Sequence, residues 1–175
     1  VIGSNGMLGS EICKQLEKNK MPFIGSDKEV DITKSECIEK FIRETESQEY
    51  LKANTTKTNI NKIKWIINCA AYTAVEKAEE DQELAYQLNS IGPKNIANIA
   101  RYNGIKLIHI STDYVFGGIG ETPFTEDMKK NPLGVYGKSK SEGEENIQNL
   151  MTKYYIIRTA WLYGFKHPNL LFSVY

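Results

Sequence analysis

Tyr136 and Lys140, four residues apart in NPLGVYGKSKSEGE, are the side chains of this 175-residue sequence best spaced to do chemistry together. Four residues of helix bring two side chains onto one face. A phenol is a weak acid and a weaker base near neutrality, with an ordinary pKa of about 10. An ammonium beside it, together with the positive charge of a bound oxidised cofactor, stabilises the phenolate, and a fall of about three units corresponds to roughly 4 kcal/mol of differential interaction. Such a pair can pass a proton to or from a carbonyl or alcohol oxygen. Tyr102 and Lys106 share the spacing but straddle Asn103-Gly104, a helix stop followed by a strand, so they do not share a face. A third partner is in LIHISTDYVFGG, where the apolar run from Leu107 ends in Ser111-Thr112-Asp113. Hydroxyls there emerge at the carboxyl end of a parallel strand, where ligands bind in such sheets. Thr112 can then hold the substrate oxygen and orient Tyr136, although Ser111 and Thr112 serve equally well as plain strand-end caps.

Reducing a ketone needs a hydride at carbon as well as a proton at oxygen, and a second segment supplies the signal for a hydride carrier. GSNGMLG, residues 3–9, lies between an apolar strand end and a helix carrying Leu8, Ile12 and Leu16 at helical spacing. Gly3 permits the tight turn, Gly6 lets a pyrophosphate approach the backbone, and Gly9 lets the helix pack on the strand. Amides at the helix start then face the phosphates. The next strand ends in Ser26-Asp27-Lys28, where the Asp27 carboxylate can accept from a ribose diol. Asp27 disfavours a 2′-phosphate and Lys28 favours one, so NADH and NADPH both stand as cofactors. Asp31, in VDIT, is also readable as the N-terminal signal of the following helix.

To position these groups the chain must alternate strands and helices, which implies a doubly wound parallel sheet in an α/β fold. Five strands are readable: Val1 to Ile2, Pro22 to Gly25, Trp65 to Asn68, Lys106 to Ser111 and Tyr154 to Arg158. Helices are expected from about Leu8 to Asn19, Lys34 to Glu46, Glu79 to Tyr102 and Tyr136 to Met151. Gln48 to Lys64 is polar, rich in Thr, Asn and Lys, and reads as an exposed insertion. Val1-Ile2 reads as the tail of a strand, and the sequence stops without a complete element after Arg158. Both ends are therefore expected to be cut, leaving residues 1–175 as one dinucleotide-binding domain.

Lysine plus arginine equals aspartate plus glutamate at 22 each, so no overall field recruits nucleic acid or an acidic membrane. With no leader and no apolar run of membrane length, the expectation is a cytoplasmic protein. Cys13, Cys37 and Cys69 lack metal-type spacing and read as reduced, small buried hydrophobes. His109 is expected to point inward from an apolar strand and His167 to sit in a loop, neither with a catalytic or metal role.

GSNGMLG, NCAAYTAVEKAE, LIHISTDYVF, NPLGVYGKSKSEGE and IIRTAWLYG occur in the order found in dTDP-4-dehydrorhamnose reductases, and the chain resembles that family of extended short-chain reductases. The resemblance covers nearly everything outside the polar insertion. It implies NAD(P)H-dependent reduction of the 4-keto group of a dTDP-4-keto-6-deoxy sugar, with Tyr136, Lys140 and Thr112 catalytic. It implies cofactor contacts from Gly3, Asn5, Gly6, Met7, Leu8, Gly9, Asp27, Asp31, Ile32, Ala70, Ala71, Tyr72, Thr73 and Asn89, besides Tyr136 and Lys140. Val75, Thr112, Asp113, Tyr114 and Trp161 are implied on the substrate side. A core tryptophan, small packing alanines and a solvent-facing Asn89 are the plain structural alternatives. Glu11 matches a position that in some members joins a divalent ion between two subunits, but its co-ligands would lie beyond Tyr175, so no metal is assigned and a homodimer stays open. Two other functions stand beside reduction. A sugar-nucleotide dehydratase would carry Asp-Glu after the threonine, where this sequence has Asp113-Tyr114, whereas an epimerase can use the same triplet. A purely binding regulatory subunit would not need the intact triplet.

Overall fold

The computed structural model of the chain describes residues 1–47, 62–118 and 123–164. Three parallel strands are adjacent in chain order: β1 Trp65–Asn68, β2 Lys106–Thr112 and β3 Tyr154–Thr159. Of the two earlier strands read from the sequence, the first contracts to the bridging residue Ile2 and the second, Pro22 to Gly25, gives way to a bridge one residue further on, with Ile2 paired to Ser26 on one side and to Asn68 on the other. Short hydrogen bonds carry this ladder, from Ile2 N to Ile67 O at 2.9 Å and from Ser26 N to Val1 O at 2.9 Å. The spatial order is therefore Ser26, Ile2, β1, β2, β3, with a reversal between Ile2 and β1.

Helix α1 spans Met7–Lys18 and α2 spans Ser35–Thr45. The long helix expected from Glu79 to Tyr102 runs without a gap from Gln82 to Tyr102, with a π-helical turn inside it. A 3-10 turn at Lys77–Glu79 is followed by α3 Gln82–Tyr86, a π-helical turn Gln87–Ile91 and α4 Gly92–Tyr102. Helix α5 spans Val135–Leu150. Between α4 and β2, Gly104 sits at φ +68 and Ile105 N returns to Ala100 O at 2.8 Å. That glycine-mediated stop places Tyr102 at a helix end and Lys106 at a strand start, as the sequence required.

The crossovers through α2, α4 and α5 run in one direction across the sheet, and these helices pack on one another over one face. The crossover through α1 runs the other way, so right-handedness puts it on the opposite face and makes the fold doubly wound and Rossmann-like. The inner face buries Ile66, Leu107, Ile96, Ile99, Ala100 and Ile147 in one cluster with Ile2, Ile38 and Ile42. On the outer face, Trp65 stacks on Tyr155 with centroids 6.1 Å apart and Lys106 lies 4.8 Å above the Trp65 ring.

The π turn has a packing reason. Gly143 of α5 faces the Asn89 carbonyl so closely that a Cβ there would fall onto that oxygen, a backbone atom that cannot step aside. Gly143→Ala is expected to destabilise the protein by about 3 kcal/mol, the upper range for overpacking, because two helices must separate. Urea unfolding checks this. A loss under about 1 kcal/mol would show that the helix pair is not closely fitted.

Candidate functional site

A cavity of about 900 Å³ opens at the carboxyl ends of the strands, at the point where the strand order reverses. In open α/β sheets that crevice is where ligands bind. One wall is the glycine turn. Gly3, at φ +77, has no room for a side chain, because a Cβ would lie 2.7 Å from Ala70 N. A Cβ on Gly9 would collide with the Gly3 carbonyl. Gly6 caps α1 without any side-chain hydrogen bond, so the first amides of that 12-residue helix remain available along the cavity. Gly3, Gly6, Met7, Leu8 and Gly9 all line it.

The far end is formed by Asp27, Lys28, Val30, Asp31 and Ile32. Asp31 does what the helix-start reading asked: its Oδ1 accepts from Thr33 N at 3.0 Å and Thr33 Oγ1 at 2.7 Å. Those bonds and Lys34 hold its carboxyl below the ordinary range. Ile32 is buried against Gly92.

The middle is built from three strand ends. Cys69, Ala70, Ala71, Thr73 and Val75 follow β1; Ser111, Thr112, Asp113 and Tyr114 end β2; Thr159, Trp161 and Leu162 end β3. Thr112 Oγ1 accepts from Tyr114 N at 3.2 Å and donates to Asp113 Oδ1 at 3.1 Å, so it caps the 3-10 turn Asp113–Val115 while facing the cavity. Trp161 is 74% exposed and has a φ of +52, a left-handed conformation that a bulky residue adopts only at a cost.

Helix α5 brings in Tyr136 and Lys140 together, as the spacing required. Its first amide, Val135 N, is held by Glu79 Oε1 at 2.7 Å from the 3-10 turn after β1. The Tyr136 ring meets Tyr114 edge to face, with centroids 5.6 Å apart. Burial pushes the Tyr136 phenol above its ordinary value, with the Thr112 hydroxyl pulling the other way. In the protein alone, burial therefore opposes the lowering expected from Lys140 together with an oxidised cofactor. Lys140 Nζ donates to Ile110 O at 2.6 Å, and desolvation dominates around the phenol. A phenol so placed keeps its proton, which suits a donor.

Lys140 itself is 2% exposed, and burial lowers its ammonium to about 8, against the opposing pull of Glu144 and Cys69. Cys69 is pushed up to about 11 by burial, so it stands as a thiol. A lysine whose folded pKa is below its unfolded value of 10.5 weakens the fold while it is charged. That penalty is full below pH 8 and is relieved as pH rises from 8 toward 10.5. Lys140→Met is therefore expected to unfold less readily at pH 7, by about 2 kcal/mol after the lost hydrogen bond is set against the relieved desolvation. The advantage should shrink by pH 9.5. Denaturant titrations at both pH values read it, and a variant less stable at pH 7 would refute it.

Three residues expected at the cofactor are not in the cavity wall. Asn5 is exposed at the turn. Tyr72 turns away, its hydroxyl donating to Asp81 Oδ2 at 2.9 Å. Asn89 faces neither cofactor nor solvent: its Oδ1 accepts from Tyr72 N at 2.9 Å and its Nδ2 donates to Tyr72 O and Ser139 Oγ, both at 3.1 Å. It clamps the strand-end loop to the helix that carries Tyr136. Sequence reasoning also missed Val30, Cys69, Leu88, Ile110, Thr159 and Leu162 in the wall; Cys69, Thr159 and Leu162 lie at or just after strand ends, which could have signalled them, whereas Leu88 sits in the π-helical turn. Most of the Gln48 to Lys64 insertion and His167 lie outside the described residues. Glu11 hydrogen-bonds Gln15 and Lys14, and among the described residues no group of His, Cys, Asp and Glu is arranged to hold a metal.

A family model described as the RmlD substrate binding domain matches residues 1–175. A dTDP-4-dehydrorhamnose reductase of Mycolicibacterium smegmatis is 33% identical over 165 residues, 93% of this chain and 45% of that protein. A crystal structure of the Clostridium acetobutylicum dTDP-4-dehydrorhamnose reductase superposes with a TM-score of 0.85 and 43% identity, covering 98% of this chain and 56% of that one. The Bacillus anthracis reductase, solved in complex with NADP, gives a TM-score of 0.84 and 35% identity, covering 98% of this chain and 56% of its own. The chain spans about half the length of the curated relatives it matches.

Proposed function

The chain belongs to the RmlD substrate binding domain family, and from that premise we propose that it is the cofactor-binding part of a dTDP-4-dehydrorhamnose reductase using NADH or NADPH. The observation that carries the reading is the convergence of Tyr136, Lys140 and Thr112 on the same cavity as the side-chain-free turn of Gly3 and Gly9. That turn fits a dinucleotide, because without side chains at Gly3 and Gly9 the backbone closes tightly on Ala70 and on itself, and the uncapped start of α1 faces the cavity with the free amides a pyrophosphate needs. The bound nicotinamide supplies the hydride that goes to C4 of a dTDP-4-keto-6-deoxy sugar.

This chain's own groups do the rest. Tyr136, kept protonated by burial, donates its proton to the forming C4 alkoxide, and Thr112 holds that oxygen beside the phenol. Lys140, anchored on Ile110 O, presents its remaining N–H groups to the cavity and holds the ribose next to the nicotinamide. Asp27 takes the adenosine ribose, and Val75, Asp113, Tyr114 and Trp161 face the sugar nucleotide. Residues 1–175 form the dinucleotide domain in this reading. A following domain, corresponding to the length by which the relatives exceed this chain, supplies the other sugar contacts. The setting is cytoplasmic; among the described residues no helix is long and apolar enough to cross a membrane.

The test is a spectrophotometric assay of the full-length protein with dTDP-4-dehydrorhamnose. Loss of one NAD(P)H per sugar reduced is expected. Turnover with undiminished cofactor would mean epimerisation instead, and cofactor binding without any turnover would mean a binding subunit.

A further inference from the structure

On inner-face positions of β2, where Leu107 is an aliphatic neighbour, the chain places a fully buried histidine. His109 pairs in register with Asn68 of β1, and its Nδ1 lies 3.1 Å from Asn68 Nδ2. Asn68 Oδ1 accepts from Ala70 N at 3.1 Å. We propose that His109 is a positioning residue: acting through Asn68, it holds the Ala70 peptide against Gly3 and so fixes the wall of the cavity where the dinucleotide turn meets the end of β1.

The direction of each hydrogen bond follows from the donors available. A peptide N–H can only donate, so Asn68 must offer its oxygen to Ala70 and its NH2 to His109. His109 Nδ1 must then accept, which leaves the ring neutral with its proton on Nε2. Complete burial and the nearby Lys140 ammonium agree with a neutral ring, holding the imidazole well below its usual range, while the Nε2–H is buried without a hydrogen-bond partner among the described residues, so Asn68 is the one group that fixes the ring. An aliphatic residue at this position would fill the space but leave the asparagine free to turn.

What the asparagine holds is a strategic peptide. Cys69 N still donates to Ile2 O at 2.9 Å, so the parallel ladder ends there. The Ala70 amide is the first one beyond it, and it is the atom nearest to where a Gly3 side chain would begin, at 2.7 Å. Ala70 and Ala71 both line the cavity. A shift of this peptide would therefore move the floor of the glycine turn.

The link to dinucleotide binding rests on the cofactor reading above, so the test carries a readout that does not. In the full-length protein, exchange of the Ala70 amide is followed by NMR and the Kd of NADH and NADPH by fluorescence. His109→Leu is expected to speed Ala70 exchange about tenfold and to raise the cofactor Kd about fivefold to twentyfold. His109→Asn, which keeps an acceptor near the Nδ1 position, is expected to stay within about twofold of the parent in both. In an Asn68→Ala background, His109→Leu should add nothing further. If His109→Leu does not fold, Asn68→Ala alone carries the measurement and should show the same two losses. Unchanged Ala70 exchange in either variant overturns the proposal, as does equal loss in His109→Leu and His109→Asn. Should the parent protein bind neither cofactor, the cofactor reading fails while the exchange data still decide the positioning.

Discussion

Tyr136→Phe is expected to lower kcat of the full-length enzyme by about 10²–10⁴-fold, the usual contribution of one general acid. The cofactor Kd should move by less than about threefold, because only a hydroxyl is removed. The phenyl ring keeps its edge-to-face contact with Tyr114, and the helix start held by Glu79 is untouched. Burial keeps the parent phenol protonated, so the substitution deletes a proton that is present, not one that has already left. Single-turnover rates with saturating sugar and cofactor separate this from a binding defect. A variant retaining a tenth or more of the parent rate would show that another group delivers the proton.

The largest stability effect is expected at Glu144, whose side chain is completely buried in α5. Its carboxylate is gripped by Arg158 of β3, with Nε to Oε1 at 2.9 Å and an NH2 group to Oε2 at 2.7 Å, and Lys130 stands 3.4 Å away. Burial alone would push this carboxyl up, but the Arg158 bonds and the neighbouring cations outweigh it and leave it below 4.5. Glu144→Ala strands Arg158 and Lys130 with reduced compensation and is expected to cost about 3–5 kcal/mol. A carboxyl with a depressed folded pKa contributes stability that is fully present above its unfolded value and is lost as pH falls through the folded one. The gap between parent and variant in urea unfolding should therefore be full at pH 7 and narrow steadily below pH 4.5. A gap that did not change on acidification would mean the ion pair contributes little.

What was legible from sequence was mainly what is local. Strand-turn-helix punctuation located α1 and the glycine turn to within a residue or two, and Asn103-Gly104 was enough to choose Tyr136 with Lys140 over Tyr102 with Lys106. The cavity wall followed from strand ends, which a parallel fold places together. What was not legible depends on pairings between distant positions. Asn68 and His109 are 41 residues apart, Asn89 and Ser139 are 50 apart, and neither has a periodic signature. The burial that raises the phenol in the protein alone was not legible for the same reason. The tyrosine-lysine spacing shows that the ammonium is near, but not that it is turned to Ile110 O while burial dominates.

The widened turn at Gln87–Ile91 also sets a tolerance on sequence length. Such a turn is an α-helix carrying one surplus residue. Excising a single residue there would restore regular winding and rotate everything upstream by about 100° relative to Gly92–Tyr102. The Asn89 amide would swing off Tyr72, and the carbonyl that Gly143 accommodates would be drawn back into the coil. Insertions and deletions are usually absorbed in loops; here the surplus residue sits in a helix interior, and the reading frame of its side chains depends on it.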